Sequence, residues 1–221
     1  MHDGHRKRLR ERYLSEGLDN FQPHEALELL LFYAIPRRNT NDIAHSLLRR
    51  FGTLSNVLDT DAMDLSKVDG IGENAATLLS LIPSIARKYQ RDKWGIKPVL
   101  SSAEKVGRYA VDMLSGRLYE VFCVICLDAG KKVLHSGIIY EGTINEAPFY
   151  PRTIVEVILR HNAESVVFAH NHPGGTRQPS VEDIEATRIL KNLLEPMGIS
   201  VIDHIIVADD KYVSMKELGK I

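Results

Sequence analysis

His170 and His172 stand two residues apart at the end of the apolar run Val166-Val167-Phe168-Ala169, and Pro173-Gly174-Gly175 turn the chain away directly after them. On an extended strand, residues two apart share a face, so both imidazoles emerge at the strand's rim and can converge on one cation. Seven residues separate His172 from Ser180 and two separate Ser180 from Asp183. Ser180 reads as a helix N-cap, which puts Asp183 one turn inside the helix with its carboxylate able to reach back. Two imidazoles and one carboxylate fill three positions around a tetrahedral Zn2+ and leave the fourth for water, the pattern of a catalytic rather than a structural site. Water so bound is acidified and needs a base beside it. Glu120 opens the apolar run Val121-Phe122-Cys123-Val124-Ile125-Cys126-Leu127. A carboxylate there is costly unless it is exposed at the strand's end or used, so Glu120 is the candidate general base, with a plain surface carboxylate as the other reading. The Ser180 hydroxyl is the candidate donor to a developing oxyanion.

The elements that must hold these groups can be traced around them. A helix from about 102 to 114 precedes strands near 119–127 and 131–140, joined at Asp128-Ala129-Gly130. A helix near 151–162, a strand at 165–170, the helix from Ser180, and strands near 199–207 and 211–214 complete an alternating α/β (α+β) pattern over 102–221. Residues 1–92 carry helical periodicity only. Leu27, Leu30, Leu31 and Ala34 share one helix face between Pro23 and Pro36, and Ile43, Leu47 and Leu48 share another ahead of Gly52. Residues 93–101, with Gly95 and Pro98, read as a linker. Within the first part, Val68-Asp69-Gly70-Ile71-Gly72 forms a tight turn opening a helix from Glu73, with Val68 and Ile71 as anchors and Ala75 and Ala76 allowing close helix approach. The free N–H groups of such a turn can seat a phosphate; a purely structural turn is the equal alternative.

The chain has 221 residues, 44% hydrophobic and 26% charged, with a net charge of −1. That is a folded globular composition with no general attraction for nucleic acid or anionic lipid. Two basic clusters, Arg6-Lys7-Arg8 with Arg10 and Arg12, and Arg87-Lys88 with Arg91 and Lys93, could meet phosphates or simply be solvated helix ends. No run is long enough to span a bilayer, and the polar start lacks the apolar centre of a signal peptide, so the expected compartment is the cytoplasm. Cys123 and Cys126 are three apart on one strand, hence on opposite faces, where they can share neither a metal nor a disulfide. They read as small core residues. His204, beside Asp203 and before Ile205-Ile206-Val207, is either a partner of a metal ligand or a hydrogen-bonded core histidine. His135, His161 and Arg152 receive no firm role.

The His170-Asn171-His172-Pro173 string, with Ser180, Asp183 and the upstream Glu120, resembles the MPN/JAMM metalloprotease motif. Together with Pro179-Ser180, Tyr150-Pro151-Arg152 and Asp203-His204-Ile205-Ile206, it resembles the bacterial RadC family over nearly the whole chain. The resemblance implies an MPN-type, cytidine-deaminase-like domain over 102–221, preceded by a small all-α helix-hairpin-helix domain. It also implies zinc on His170, His172 and Asp183. One departure is Gly174-Gly175-Thr176-Arg177 where Gly-Asp usually follows the proline, which changes loop charge and removes no ligand. Three functions follow as expectations. The first is a zinc peptidase or isopeptidase acting on an amide carbonyl, its substrate unnamed. The second is a DNA-associated repair or recombination factor that touches DNA through Gly70, Ile71 and Gly72, its metal structural or nucleolytic. The third is a scaffold without catalysis.

Overall fold

The computed structural model describes residues 2–117, 119–142 and 150–221, with backbone alone at residues 2 and 3. The chain forms two compact units, Met1–Ala86 and Arg87–Ile221. The first is helical: α1 (His2–Glu16), α2 (Pro23–Ala34), α3 (Thr40–Phe51), α4 (Leu54–Asp59), α5 (Ala62–Leu65) and the start of α6 (Glu73–Lys93). Leu27 and Leu31 of α2, Leu47 of α3, Leu65 and Leu79 are fully buried in its core. Gly52 ends α3 at φ +90, a conformation open to a residue without a Cβ. The first basic cluster is partly turned inward. Arg6 donates to the carbonyls of Ile35 (2.7 Å) and Arg38 (2.8 Å), satisfying the carboxyl end of α2. Arg12 pairs with Glu25 at 2.8 Å and covers the Phe21 ring. Neither guanidinium is a spare cation.

The turn before α6 is built as its residue types require. Val68, Ile71, Ala75 and Ala76 are buried in the helical core. Gly70 has φ +89, and a Cβ there would lie 2.7 Å from Ile43. Gly72 meets nothing within 4 Å.

The second unit carries the sheet. After α7 (Ala103–Leu114) come β1 (Val121–Leu127), β2 (Val133–Glu141), α8 (Pro151–Arg160), β3 (Ser165–Asn171), α9 (Val181–Leu194), β4 (Ser200–Ala208) and β5 (Lys211–Ser214). The order is β2-β1-β3-β4-β5; β3 and β4 run parallel and the other neighbours antiparallel. β1 and β3 are buried along their whole length, which explains their unbroken apolar sequence. Alternation sends Val121, Cys123 and Ile125 into the core shared with α7, and Phe122, Val124 and Cys126 into the core shared with α8 and α9. The two thiols are therefore on opposite faces, and burial raises their pKa values to about 12 (Cys123) and about 11 (Cys126). The β1–β2 turn takes its left-handed residue at Lys131 (φ 63), not at Gly130, with Asp128 Oδ1 accepting the Lys132 N–H. Residues of the expected linker lie along this unit: Leu100 is buried in its core, Trp94 packs on it, and Leu100 N–H donates to the Lys131 carbonyl. Among the described residues no helix is long and apolar enough to cross a membrane.

Candidate metal centre

β3 and β4 end at the same edge of the sheet because they are parallel, and the candidate site forms there. His170, paired in register with Phe122 of β1 and Ile206 of β4, is the penultimate residue of β3. The loop after it returns at Ser180, whose Oγ accepts the Asp183 N–H (3.0 Å) while the Asp183 carboxylate accepts the Ser180 N–H (2.7 Å). This reciprocal cap fixes Asp183 at the mouth of α9. His170, His172 and Asp183 are buried together. The two Nε2 atoms lie 2.8 Å apart, and Asp183 oxygens lie 3.2 Å from His170 Nε2 and 3.6 Å from His172 Nε2. Donors held at about 2.0–2.2 Å from a tetrahedral ion sit roughly 3.3–3.6 Å from one another; the two carboxylate–imidazole sides are close to this range and the imidazole–imidazole side is shorter, so the histidines must separate by about 0.5 Å to hold one.

The hydrogens point away from the triangle. His172 Nδ1 lies 2.9 Å from the Thr176 carbonyl, which can only accept, so Nδ1 carries the proton and Nε2 presents its lone pair. For His170 the same result follows through a relay. Thr187 Oγ1 donates to the Asp183 carbonyl (2.6 Å), so toward His204 Nδ1 it must accept. His204 then carries its proton on Nδ1 and offers Nε2 to His170 Nδ1–H at 2.8 Å. Two lone pairs and a carboxylate thus face one another with no hydrogen between them, which is the donor set of a divalent cation.

The electrostatics agree. Burial pushes the Asp183 carboxyl up, but whenever His170 or His172 takes a second proton on Nε2 the resulting hydrogen bond and positive charge outweigh burial and hold the carboxyl well below the usual carboxylate range, as a cation in the triangle would. The protonated form of His172 is favoured in turn by the hydrogen bond it can then give Asp183, with a smaller push from the Glu120 charge, so its pKa is raised. Complete burial, then His170, drive His204 well below 6.5, so it stays neutral as the relay requires.

Of the remaining sequence candidates, Ser180 is exposed beside the site and Glu120 is half-buried just before β1. The β1–β3 register, continued one residue past Val121, puts Glu120 opposite His172. Among the described residues its carboxylate makes no hydrogen bond or ion pair. Asn171 escaped sequence reasoning as a functional residue. Its buried amide accepts the Val121 N–H (2.9 Å) and donates to the Tyr119 carbonyl (3.0 Å), gripping the backbone on both sides of Glu120. Thr187 was also missed, though its spacing of four from Asp183 on a helix was a usable signal. His204 is at once a core histidine and the partner of His170. His135 and His161 stack at 3.9 Å, away from these contacts.

Comparison with known proteins places this geometry in a family. The RadC-like JAB domain family matches residues 100–220. The UPF0758 protein FN0909 of Fusobacterium nucleatum is 37% identical over 227 aligned positions, covering 99% of this chain and 97% of that protein. The mixed α/β unit, the helices that precede it and these two likenesses agree: the chain belongs to the RadC family, with a JAB domain as its carboxy-terminal part.

Proposed function

We propose that the chain is a zinc-dependent hydrolase of peptide or isopeptide bonds, with His170, His172 and Asp183 as the ligands. The observation that carries this reading is the convergence of three hydrogen-free donors at the rim of β3. Zinc held there supplies a Lewis acid and lowers the pKa of water. Glu120, uncommitted and opposite His172, takes the proton of the attacking water and delivers it to the departing nitrogen. Ser180 already accepts from Asp183 N–H, so its own O–H proton is free to donate to the oxyanion. The N-terminus of α9 adds a favourable field for that negative charge. The buried, unactivated thiols fit a reducing cytoplasmic setting.

Metal content tests the reading first. Purified protein dialysed against zinc is expected to hold about one equivalent and His172→Ala none; a wild type that stays metal-free removes the hydrolase. Protons compete for His172, which is raised above 6.5, so zinc affinity should hold at higher pH and fall as pH drops through that range. His204→Leu is smaller than the imidazole at its two close contacts, packs between Phe122 and Phe168, and leaves His170 Nδ1–H without an acceptor. It should weaken zinc about 10–100-fold by competition with a chromophoric chelator.

A second reading, contact with the DNA backbone through Gly70, Ile71 and Gly72, is favoured by the open space at Gly72 and by the Arg38 guanidinium lying over the turn. Against it, Asp69 is fully exposed and pairs with Arg38 at 3.7 Å. Gly70→Ala is a poor probe, since left-handed strain and the Ile43 clash should cost about 2–4 kcal/mol in chemical unfolding. Gly72→Glu leaves the fold intact and should reduce salt-dependent DNA binding; equal binding by both proteins rules the turn out.

A further inference from the structure

A separate recess of about 720 Å³ opens on the α7 side of the second unit, within the size range of ligand sites. Lys93 and Trp94 line it from the end of α6, Arg108 and Asp112 from one face of α7, and Lys211 and Tyr212 from the start of β5. Arg177 reaches it from the loop between β3 and α9, the same loop that runs from His172 to Ser180. One side of that loop serves the metal donors and the other walls the recess.

The charges of the recess are unevenly committed. The Asp112 carboxylate is taken by Trp94 Nε1–H at 2.7 Å. Arg108 reaches only the exposed Glu104, at 3.9 Å, and Lys93 lies over the Tyr89 ring. The Arg177 and Lys211 side chains are exposed and, among the described residues, make no hydrogen bond or ion pair. Four cations therefore share the recess with two carboxylates, Asp112, held by the neutral Trp94 N–H, and Asp210, so positive charge is in excess. Isolated cations so close together repel one another and favour an anionic ligand, with the guanidinium forks suited to carboxylates.

We propose that this recess binds acidic side chains of the substrate, so that the hydrolase selects peptides carrying Glu or Asp. The proposal rests on the hydrolase reading for its purpose, and on the recess alone for binding. A peptide fits better than a nucleic acid. A phosphodiester chain needs a continuous basic groove, whereas here Asp112 and Asp210 interrupt the cations and leave room for separate carboxylates.

Trp94 is the chain's one tryptophan and lies in the wall, so its emission reports occupancy directly. The zinc-free full-length protein would be titrated with tetraglutamate, tetralysine and a five-nucleotide oligothymidylate. A saturable change with tetraglutamate, absent with tetralysine and weakened about tenfold in Arg177→Ala/Lys211→Ala, is the expected result. Both substituted side chains are exposed, so folding is preserved and circular dichroism checks it. No response to tetraglutamate, or an unchanged affinity in the double variant, overturns the proposal. Tighter binding of the oligothymidylate overturns it in favour of nucleic acid. Because no zinc is needed, a failed hydrolase reading would appear separately, as binding without metal uptake or turnover.

Discussion

Glu120→Gln is expected to lower kcat on a peptide or isopeptide substrate by about 10²–10⁴ while zinc content stays near one equivalent. The substitution keeps the shape of the side chain and leaves the backbone bonds of Tyr119 and Val121 to Asn171 untouched. It removes only the capacity to accept a proton. Loss of rate with retained metal and little change in KM assigns Glu120 to the transition state rather than to substrate binding or metal retention. A merely structural carboxylate would behave otherwise: being half-buried and unpaired, its neutralisation should be harmless or slightly stabilising and should leave turnover alone. Equal rates for the two proteins would therefore return the base to some other group.

The metal triangle was legible because each member carries a local sign. His170 and His172 stand at period two on a strand, Asp183 stands three after an N-cap serine, and Pro173 with two glycines supplies the turn between. The placement of Cys123 and Cys126 on opposite faces follows from the same strand period. What could not be read is the set of bonds between side chains and distant backbone. Arg6 answers carbonyls of Ile35 and Arg38, and Asn171 answers groups about fifty residues away, and such pairings leave no periodicity. Nearby charges of one sign therefore look like a solvated patch when two of them are internal staples. The turn at 128–131 shows a smaller version of the problem. Gly130 is the residue that would take φ > 0 most easily, yet the hydrogen bonds of Asp128 to Lys131 and Lys132 put the left-handed conformation on Lys131.

Asn171→Asp should show how far the base depends on this hidden contact. Asn171 is buried between the two histidines, and its amide is fully used: Oδ1 accepts from Val121 N–H and Nδ2 donates to the Tyr119 carbonyl. An aspartate keeps the acceptor but sets its second oxygen against a carbonyl, with no donor to satisfy either. The expected loss of stability is about 3 kcal/mol at neutral pH, measured by urea unfolding of the zinc-free protein. The sign of its pH dependence follows from burial. The introduced carboxyl has a folded pKa above its unfolded value, so below the unfolded value both states are protonated and no charge penalty exists. As pH rises through the folded pKa the full penalty develops, and the deficit should therefore be smaller at pH 5 than at pH 8. In the acid range the protonated carboxyl can also donate to Tyr119, restoring the grip on the segment that carries Glu120. Turnover of the variant relative to wild type should accordingly recover as pH falls from 8 toward 6, with zinc content compared at each pH. A deficit in stability and rate that ignores pH would mean that the Asn171 amide fills space rather than holding the strand entry by its hydrogen bonds. A deficit that grows with pH ties the position of Glu120 to one buried amide lying between the two metal-facing histidines.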